Sequence, residues 1–135
     1  MKSIARIIAM ITLMISFCAA TAQNKTIDFT QQLVNAAGVG LTESGKDGKI
    51  QPIELWEIAI NALETASPSD AQLPGVKKFE MDELARKIYK SKKADLSADE
   101  IKMLKDRIGQ QYPPLIVGAS WRLLDGEKLV PEATK

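Results

Sequence analysis

The sequence predicts a small all-α or mostly α domain of about four helices, preceded by an export signal. Three observations lead to this prediction. The 135-residue chain begins with a basic and then strongly apolar segment. Several later segments carry apolar residues at the three- and four-residue spacing of a helix face. Serine, proline and glycine stand at the expected ends of these segments. A chain of this length is expected to form one domain around one core.

Residues 1–22 have the three parts of a cleavable secretory signal peptide. Lys2 and Arg6 supply the positive charge, an apolar run follows, and residues 20–22 (ATA) form the small-x-small pattern that signal peptidase recognises. Two alternatives stay open, an uncleaved membrane anchor and a leader lipidated at Cys18. The sequence therefore predicts an exported protein, periplasmic or secreted, which contacts a membrane only if the leader is retained.

Cleavage after residue 22 changes the chemistry available to the mature domain, residues 23–135. It removes Lys2, Arg6 and the single cysteine, Cys18, so the formal net charge changes from +1 to −1. The chain has no histidine. Thiol and imidazole nucleophiles and the common zinc, copper and iron sites are therefore excluded. A near-neutral charge also argues against a nucleic-acid partner. These exclusions favour a non-enzymatic protein that binds an unknown protein or envelope partner.

Apolar periodicity predicts four helices and leaves one segment open. The predicted helices are residues 24–39, 52–66, 76–90 and a fourth that runs from Ser97 to Gly109. The fourth has the clearest start, because Ser97 and Glu100 form an S-x-x-E capping box. The second is apolar around most of its circumference, which is typical of a central helix. Residues 115–130 form either a helix after Pro114 or a β-hairpin with its turn at Asp125-Gly126.

The connection between the first two predicted helices has the pattern of a metal-binding loop. Residues 43–54 read ESGKDGKIQPIE, with Asp47 and Gly48 at positions 5 and 6, Ile50 at 8 and Glu54 at 12. This segment resembles the twelve-residue calcium loop of the EF-hand family, and the resemblance covers about residues 29–66. In that family position 6 makes a sharp turn and position 12 supplies a bidentate carboxylate.

The resemblance implies a calcium site with five ligand residues. They are Glu43, Asp47, Lys49 through its backbone carbonyl, Gln51 and Glu54. The pattern is degenerate, because position 1 is glutamate instead of aspartate and position 3, Gly45, has no side-chain oxygen. The same residues are also explained by a structural turn with Gly48 at positive φ. A second segment, residues 89–100, lacks the central glycine and is not expected to bind calcium.

Three functions follow from these observations. The leading hypothesis is an exported, non-enzymatic interaction or structural protein of the cell envelope or secretome. The first alternative is a weak calcium-binding module, because extracellular modules function with dissociation constants of about 10⁻⁴ to 10⁻³ M. The second alternative is a cell-wall hydrolase that uses paired carboxylates. Its candidates are Glu54, Glu57 and Glu64, which share one stripe of the second predicted helix.

Overall fold

Four helices and two small antiparallel sheets make up the part of the chain that the computed structural model describes, residues 23–129 and 131. In chain order they are β1 (Lys25–Asp28), β2 (Thr42–Ser44), β3 (Ile50–Pro52), α1 (Leu55–Glu64), α2 (Gly75–Lys90), β4 (Lys93–Leu96), α3 (Ala98–Gln111) and α4 (Pro114–Leu124). A short 3-10 helix, Pro68–Gln72, precedes α2. The predicted mostly α fold class is confirmed. The predicted leader with Cys18 lies outside the described residues.

Helix α1 is the centre of the core. It contacts α2, α3 and α4. Half of its residues are buried, namely Leu55, Ile58, Ala59, Ala62 and Leu63. Burying a leucine or isoleucine side chain stabilises the fold by about 1.5 to 3 kcal/mol relative to leaving it exposed. The apolar circumference seen in the sequence therefore corresponds to a helix that other helices cover on several sides.

The second, third and fourth predicted helices are confirmed, with some changes at their ends. The fourth begins as predicted. The N–H of Glu100 donates to Ser97 Oγ at 3.2 Å, and the N–H of Ser97 donates to Glu100 Oε2 at 2.7 Å. Gly109 does not end this helix, which continues to Gln111. It stops where Tyr112 precedes a proline, because that position disfavours helical backbone.

The predicted helix at residues 24–39 is wrong. The segment begins with β1, which pairs antiparallel with β4 so that Ile27 lies opposite Ala94, and it continues as turns. The Asn35 side chain accepts hydrogen bonds from backbone N–H groups two and four residues later, at 2.9 and 3.0 Å. Such side-chain bonds compete with helix formation. Ile27 and Leu33 are buried, whereas Ala36 and Ala37 of the same apolar pattern are exposed. The apolar spacing therefore predicted burial correctly only in the first part of the segment and predicted the backbone conformation incorrectly.

The C-terminal segment is helical, so the β-hairpin alternative is wrong. Pro114 occupies the first turn of α4, where its missing N–H costs nothing. Ala119 and Leu123 lie one turn apart and are both buried. Gly126 follows with a positive φ of 87°, and its N–H donates to the Leu123 carbonyl at 3.0 Å. The Asp-Gly pair therefore closes a helix end and does not join two strands.

A buried arginine joins α3 to the end of α1. The side chain of Arg107 is only 5% exposed. Its Nε donates to the Ala62 carbonyl at 3.0 Å, and its Nη2 donates to the Thr65 carbonyl at 2.7 Å. Two further bonds, at 2.5 and 3.1 Å, connect the guanidinium to both carboxylate oxygens of Asp70 in the 3-10 helix. Carbonyls at a helix end lack hydrogen-bond donors within the helix, and Arg107 provides donors to two of them from α3.

Replacing Arg107 with methionine tests this role. The variant removes the donor to the buried Ala62 carbonyl, leaves the Thr65 carbonyl with only the Gln111 amide at 3.1 Å, and leaves Asp70 without its cation, so we expect the free energy of unfolding to fall by about 3 kcal/mol or more. The matched control is Arg86→Met, which breaks an exposed ion pair with Asp82 on α2 and should cost less than about 1 kcal/mol. Urea denaturation measures both variants. Equal losses would contradict the role of Arg107.

The pH dependence of stability gives a second test. The backbone N–H of Ser67, and then Arg107, hold the pKa of Asp70 below its usual value. A depressed folded-state pKa adds stability that is present above the unfolded-state value, about 4, and that is lost as pH falls through the folded-state value. Asp70→Asn should therefore lower stability at pH 7 and flatten its decline between about pH 5 and 2. Urea titrations across this range measure the effect, and parallel curves for both proteins would refute it.

Candidate functional site

The segment predicted to bind calcium, residues 43–54, forms a β-hairpin that leads into α1. Strands β2 and β3 pair antiparallel, with Glu43 opposite Gln51. Gly48 has a φ of 74° in the turn, as the structural explanation of this glycine predicts. No helix enters the hairpin, because residues 24–39 are not helical. The hairpin and its exit into α1 therefore replace the expected helix-loop-helix.

The predicted ligand groups have other partners. Asp47 Oδ1 accepts the backbone N–H of Lys49 at 3.2 Å, and the Lys49 amine lies 3.4 Å from Asp47 Oδ2. The Lys49 carbonyl accepts the N–H of Gly45 at 2.7 Å. Glu54 Oε2 accepts the indole N–H of Trp56 at 2.6 Å. Within the described residues no three side chains of His, Cys, Asp or Glu converge as a metal site requires. Calcium binding by this segment stays a prediction.

Glu43 lies beside the helices rather than at the tip of the hairpin. It lines a small cavity of about 270 Å³ together with Trp56 and Asn61 of α1. Its charge also acts on Tyr112 at the end of α3. Burial raises the pKa of the Tyr112 phenol, a hydrogen bond with Asn61 opposes this, and the negative charge of Glu43 raises the pKa further. This strand of the hairpin is therefore part of the domain surface.

The second segment considered above, residues 89–100, connects the end of α2 to α3 through β4. Leu96 is fully buried, and Glu100 closes the capping box. Burial favours a higher pKa for Glu100, but hydrogen bonds from the Lys87 amine and the Ser97 N–H outweigh it and lower the pKa. Strand β4 pairs with β1 and not with the hairpin. Its residues serve the packing of two helices.

The carboxylates considered for hydrolysis are not arranged as that chemistry requires. Glu54 and Glu57 are half-buried and Glu64 is exposed. Glu57 Oε2 accepts the N–H of Glu54 at 3.2 Å, which caps α1. The buried charged and polar side chains among the described residues are Arg107 and Ser120. The acid of a glycoside hydrolase is a buried carboxyl group, and none of these three glutamates is fully buried.

Sequence reasoning missed a groove between α1 and α2, here called the aromatic groove. Its volume is about 550 Å³. It is lined by Trp56, Ile60, Glu64, Asp82, Ala85, Arg86, Tyr89 and Lys90. Tyr89 is 69% exposed, although an aromatic side chain of this size usually has a buried face. The periodicity assigned Trp56 to the core and Tyr89 to a helix flank, and no local signal joins them.

A lysine amine lies against both aromatic rings of this groove. Lys92 Nζ is 3.3 Å from the centroid of the Trp56 ring and 4.8 Å from that of Tyr89. Both distances are within the range of cation–π attraction, which extends to about 6 Å. The Lys92 charge is therefore in contact with both rings of the aromatic groove.

A larger groove of about 1280 Å³ lies between α2 and α3, but its character is different. Many of the charged side chains along it already form ion pairs with one another. These pairs are Lys77–Glu80, Lys87–Glu100, Lys102–Asp106 and Arg107–Asp70. Most are exposed pairs of a kind that contributes little energy. This groove is therefore a largely self-neutralised surface, in which Phe79 is the aromatic residue and has no second ring beside it.

The chain was compared with known proteins by family, by sequence and by structure. No protein-family model, curated protein or solved structure matches it. Among the helices of the described residues, none combines the length and hydropathy needed to cross a bilayer.

Adding calcium tests the hairpin directly. We expect millimolar calcium to leave the melting temperature of residues 23–135 unchanged, because the Glu54 carboxylate is bonded to Trp56 and the Lys49 carbonyl to Gly45. A ligand that binds the native state must raise its stability. Differential scanning calorimetry with and without calcium measures this. A rise in melting temperature that Glu54→Gln abolishes would instead establish the predicted site.

Proposed function

We propose that this protein is an exported, non-catalytic binding module of the cell envelope or secretome, which holds a segment of a partner protein in the aromatic groove. The observation that carries this proposal is the groove itself. It combines an apolar floor at Ile60 and Ala85 with aromatic walls at Trp56 and Tyr89. Ligand sites in proteins are concave and mostly apolar, with a few polar groups that orient the ligand.

The residue types of the aromatic groove support a protein partner. Tyrosine, tryptophan and arginine are enriched at the energetic centres of protein interfaces, and the groove has Trp56, Tyr89 and Arg86 along its walls. Arg86 is held by Asp82 through a 2.7 Å ion pair. Tyrosine has few rotatable bonds, so ordering it in a complex costs little entropy. An exposed Tyr89 is therefore a suitable anchor for a bound segment.

The available chemistry supports binding over catalysis. Residues 23–135 contain no histidine and no cysteine, so the usual nucleophile and base pairs are missing. The three glutamates considered for hydrolysis cap helix α1 or face solvent. Along the groove Arg86 is paired with Asp82, and the Trp56 and Tyr89 rings are in contact with the Lys92 amine. The feature left for function is thus a surface and not a reactive group.

Peptides selected from a displayed random library give the test. We expect the selected peptides to bind the aromatic groove, so Tyr89→Ala should weaken them by tenfold or more, the effect of removing an interface anchor worth above about 1.4 kcal/mol. The matched control is Phe79→Ala, an aromatic residue on the same helix with a similar exposure of 63%. Fluorescence polarisation with labelled peptides measures both affinities.

The Phe79→Ala control also shows which result would contradict the proposal. Phe79 lines the groove between α2 and α3. Peptides that lose affinity with Phe79→Ala and keep it with Tyr89→Ala would move the binding surface to that groove and refute the proposal. Both side chains are exposed, so neither substitution is expected to change stability by more than about 0.5 kcal/mol.

A further inference from the structure

The aromatic groove ends at a cation held by two rings. Trp56 lies in the first turn of α1 and Tyr89 in the last turn of α2. Lys92 follows in the connection to β4, and its amine lies 3.3 and 4.8 Å from the two ring centroids. Among the described residues no carboxylate lies within ion-pair distance of this amine. The rings therefore provide the attraction that holds the Lys92 charge.

One buried residue fixes the spacing of this arrangement. The backbone N–H of Phe29 donates to the Lys92 carbonyl at 2.7 Å, and the Phe29 carbonyl accepts the N–H of Trp56 at 3.0 Å. Phe29 itself is fully buried. The backbones of Lys92 and Trp56 are thus held on the two sides of one residue. The Lys92 side chain has several rotatable bonds and remains free to leave the rings without moving this frame.

A carboxylate strengthens the attraction of the larger ring for cations. The indole N–H of Trp56 donates to Glu54 Oε2 at 2.6 Å. A negative charge at the N–H edge makes the electrostatic potential over the ring face more negative, and this face is the one that attracts cations. Glu57 is hydrogen-bonded to the backbone of Glu54 and adds a second negative charge. The site is therefore electrostatically suited to an ammonium group.

We propose that Trp56 and Tyr89 form a binding site for the alkylammonium side chain of a partner segment, and that Lys92 occupies this site in the free protein. The inference rests on the proposed binding function and names the chemistry that the groove selects. A lysine of the partner takes the place of Lys92 between the rings, while its neighbours lie along Ile60 and Ala85. Lys92 is then an internal competitor that lowers the affinity of any partner group that must displace it, and a partner ammonium group regains the cation–π attraction that Lys92 gives up.

Two small probes with side chains of similar length test the inference. They are the Nα-acetyl N-methylamides of lysine and of norleucine, which share a four-carbon side chain and differ in the terminal ammonium group. Binding to the protein is followed by NMR through the indole N–H signal of Trp56, with the signal of Trp121 as internal control. Lys92→Gln removes the competitor and should tighten binding of the lysine probe by about three- to thirty-fold, the range of one cation–π contact. The norleucine probe should bind more weakly to the same variant.

Two further variants distinguish binding between the Trp56 and Tyr89 rings from a general effect of net charge. Lys93→Gln makes the same change in charge one residue away, where Lys93 contacts Asp28 and no ring, and it should leave the lysine probe unaffected. Tyr89→Leu in the Lys92→Gln background keeps apolar bulk, removes a ring and should weaken only the lysine probe. Because Tyr89 is exposed, this variant is expected to fold.

Different results would contradict the ammonium site alone or the proposed function as well. The inference would be overturned if the lysine probe bound the wild type and Lys92→Gln with equal affinity. It would also be overturned if both probes bound Lys92→Gln equally well, or if the lysine probe did not bind at all. Selected peptides that depend on Tyr89 while Lys92→Gln has no effect on them would leave the proposed function in place and overturn only the ammonium site. Peptides independent of Tyr89 would remove the proposed function as well.

Discussion

The Arg107 guanidinium, buried between the end of α1 and the 3-10 helix, is the interaction on which the arrangement of the helices depends. Its hydrogen bonds to the Ala62 and Thr65 carbonyls and to Asp70 fix where α1 ends and where the chain turns toward α2. Since α1 contacts all three other helices, an error at this end would displace the whole core. A charge this deeply buried is tolerated because each of its three nitrogens donates to an acceptor and one of these acceptors is a carboxylate.

A second constraint acts at the other end of α1. Strand β1 adds to β4, and the next residue, Phe29, bonds through its backbone to both Lys92 and Trp56. These bonds hold the start of α1 beside the end of α2, where the aromatic groove opens. Arg107 thus determines one end of the α1–α2 pair and Phe29 the other. A groove held at both ends is preorganised, so that a ligand does not have to order it.

The two large surface grooves show how charge pairing separates a candidate binding surface from a solvated one. Along the α2–α3 groove most cations already have anions, so a ligand would have to replace existing pairs. In the aromatic groove the Lys92 charge is held by rings alone among the described residues, and rings can exchange one ammonium for another. The proposed function and the ammonium site both follow from this difference in partners, not from the size of the grooves.

Signals that act within one or two helical turns were predictable from the chain. The capping box at Ser97 and the positive φ of Gly48 depend on neighbouring residues, as does the apolar circumference of α1. At Pro114 the neighbouring residues permitted either a helix start or a hairpin, and the structure has the helix. The helix expected at residues 24–39 was wrong because its backbone partners, such as those in β4, lie far away in sequence. The contact of Lys92 with Trp56 and Tyr89 also depends on residues that are far apart in sequence. Local chemistry thus specified individual caps, turns and much of the buried surface, whereas long-range backbone pairing decided which segments are helical and which surface side chains face one another.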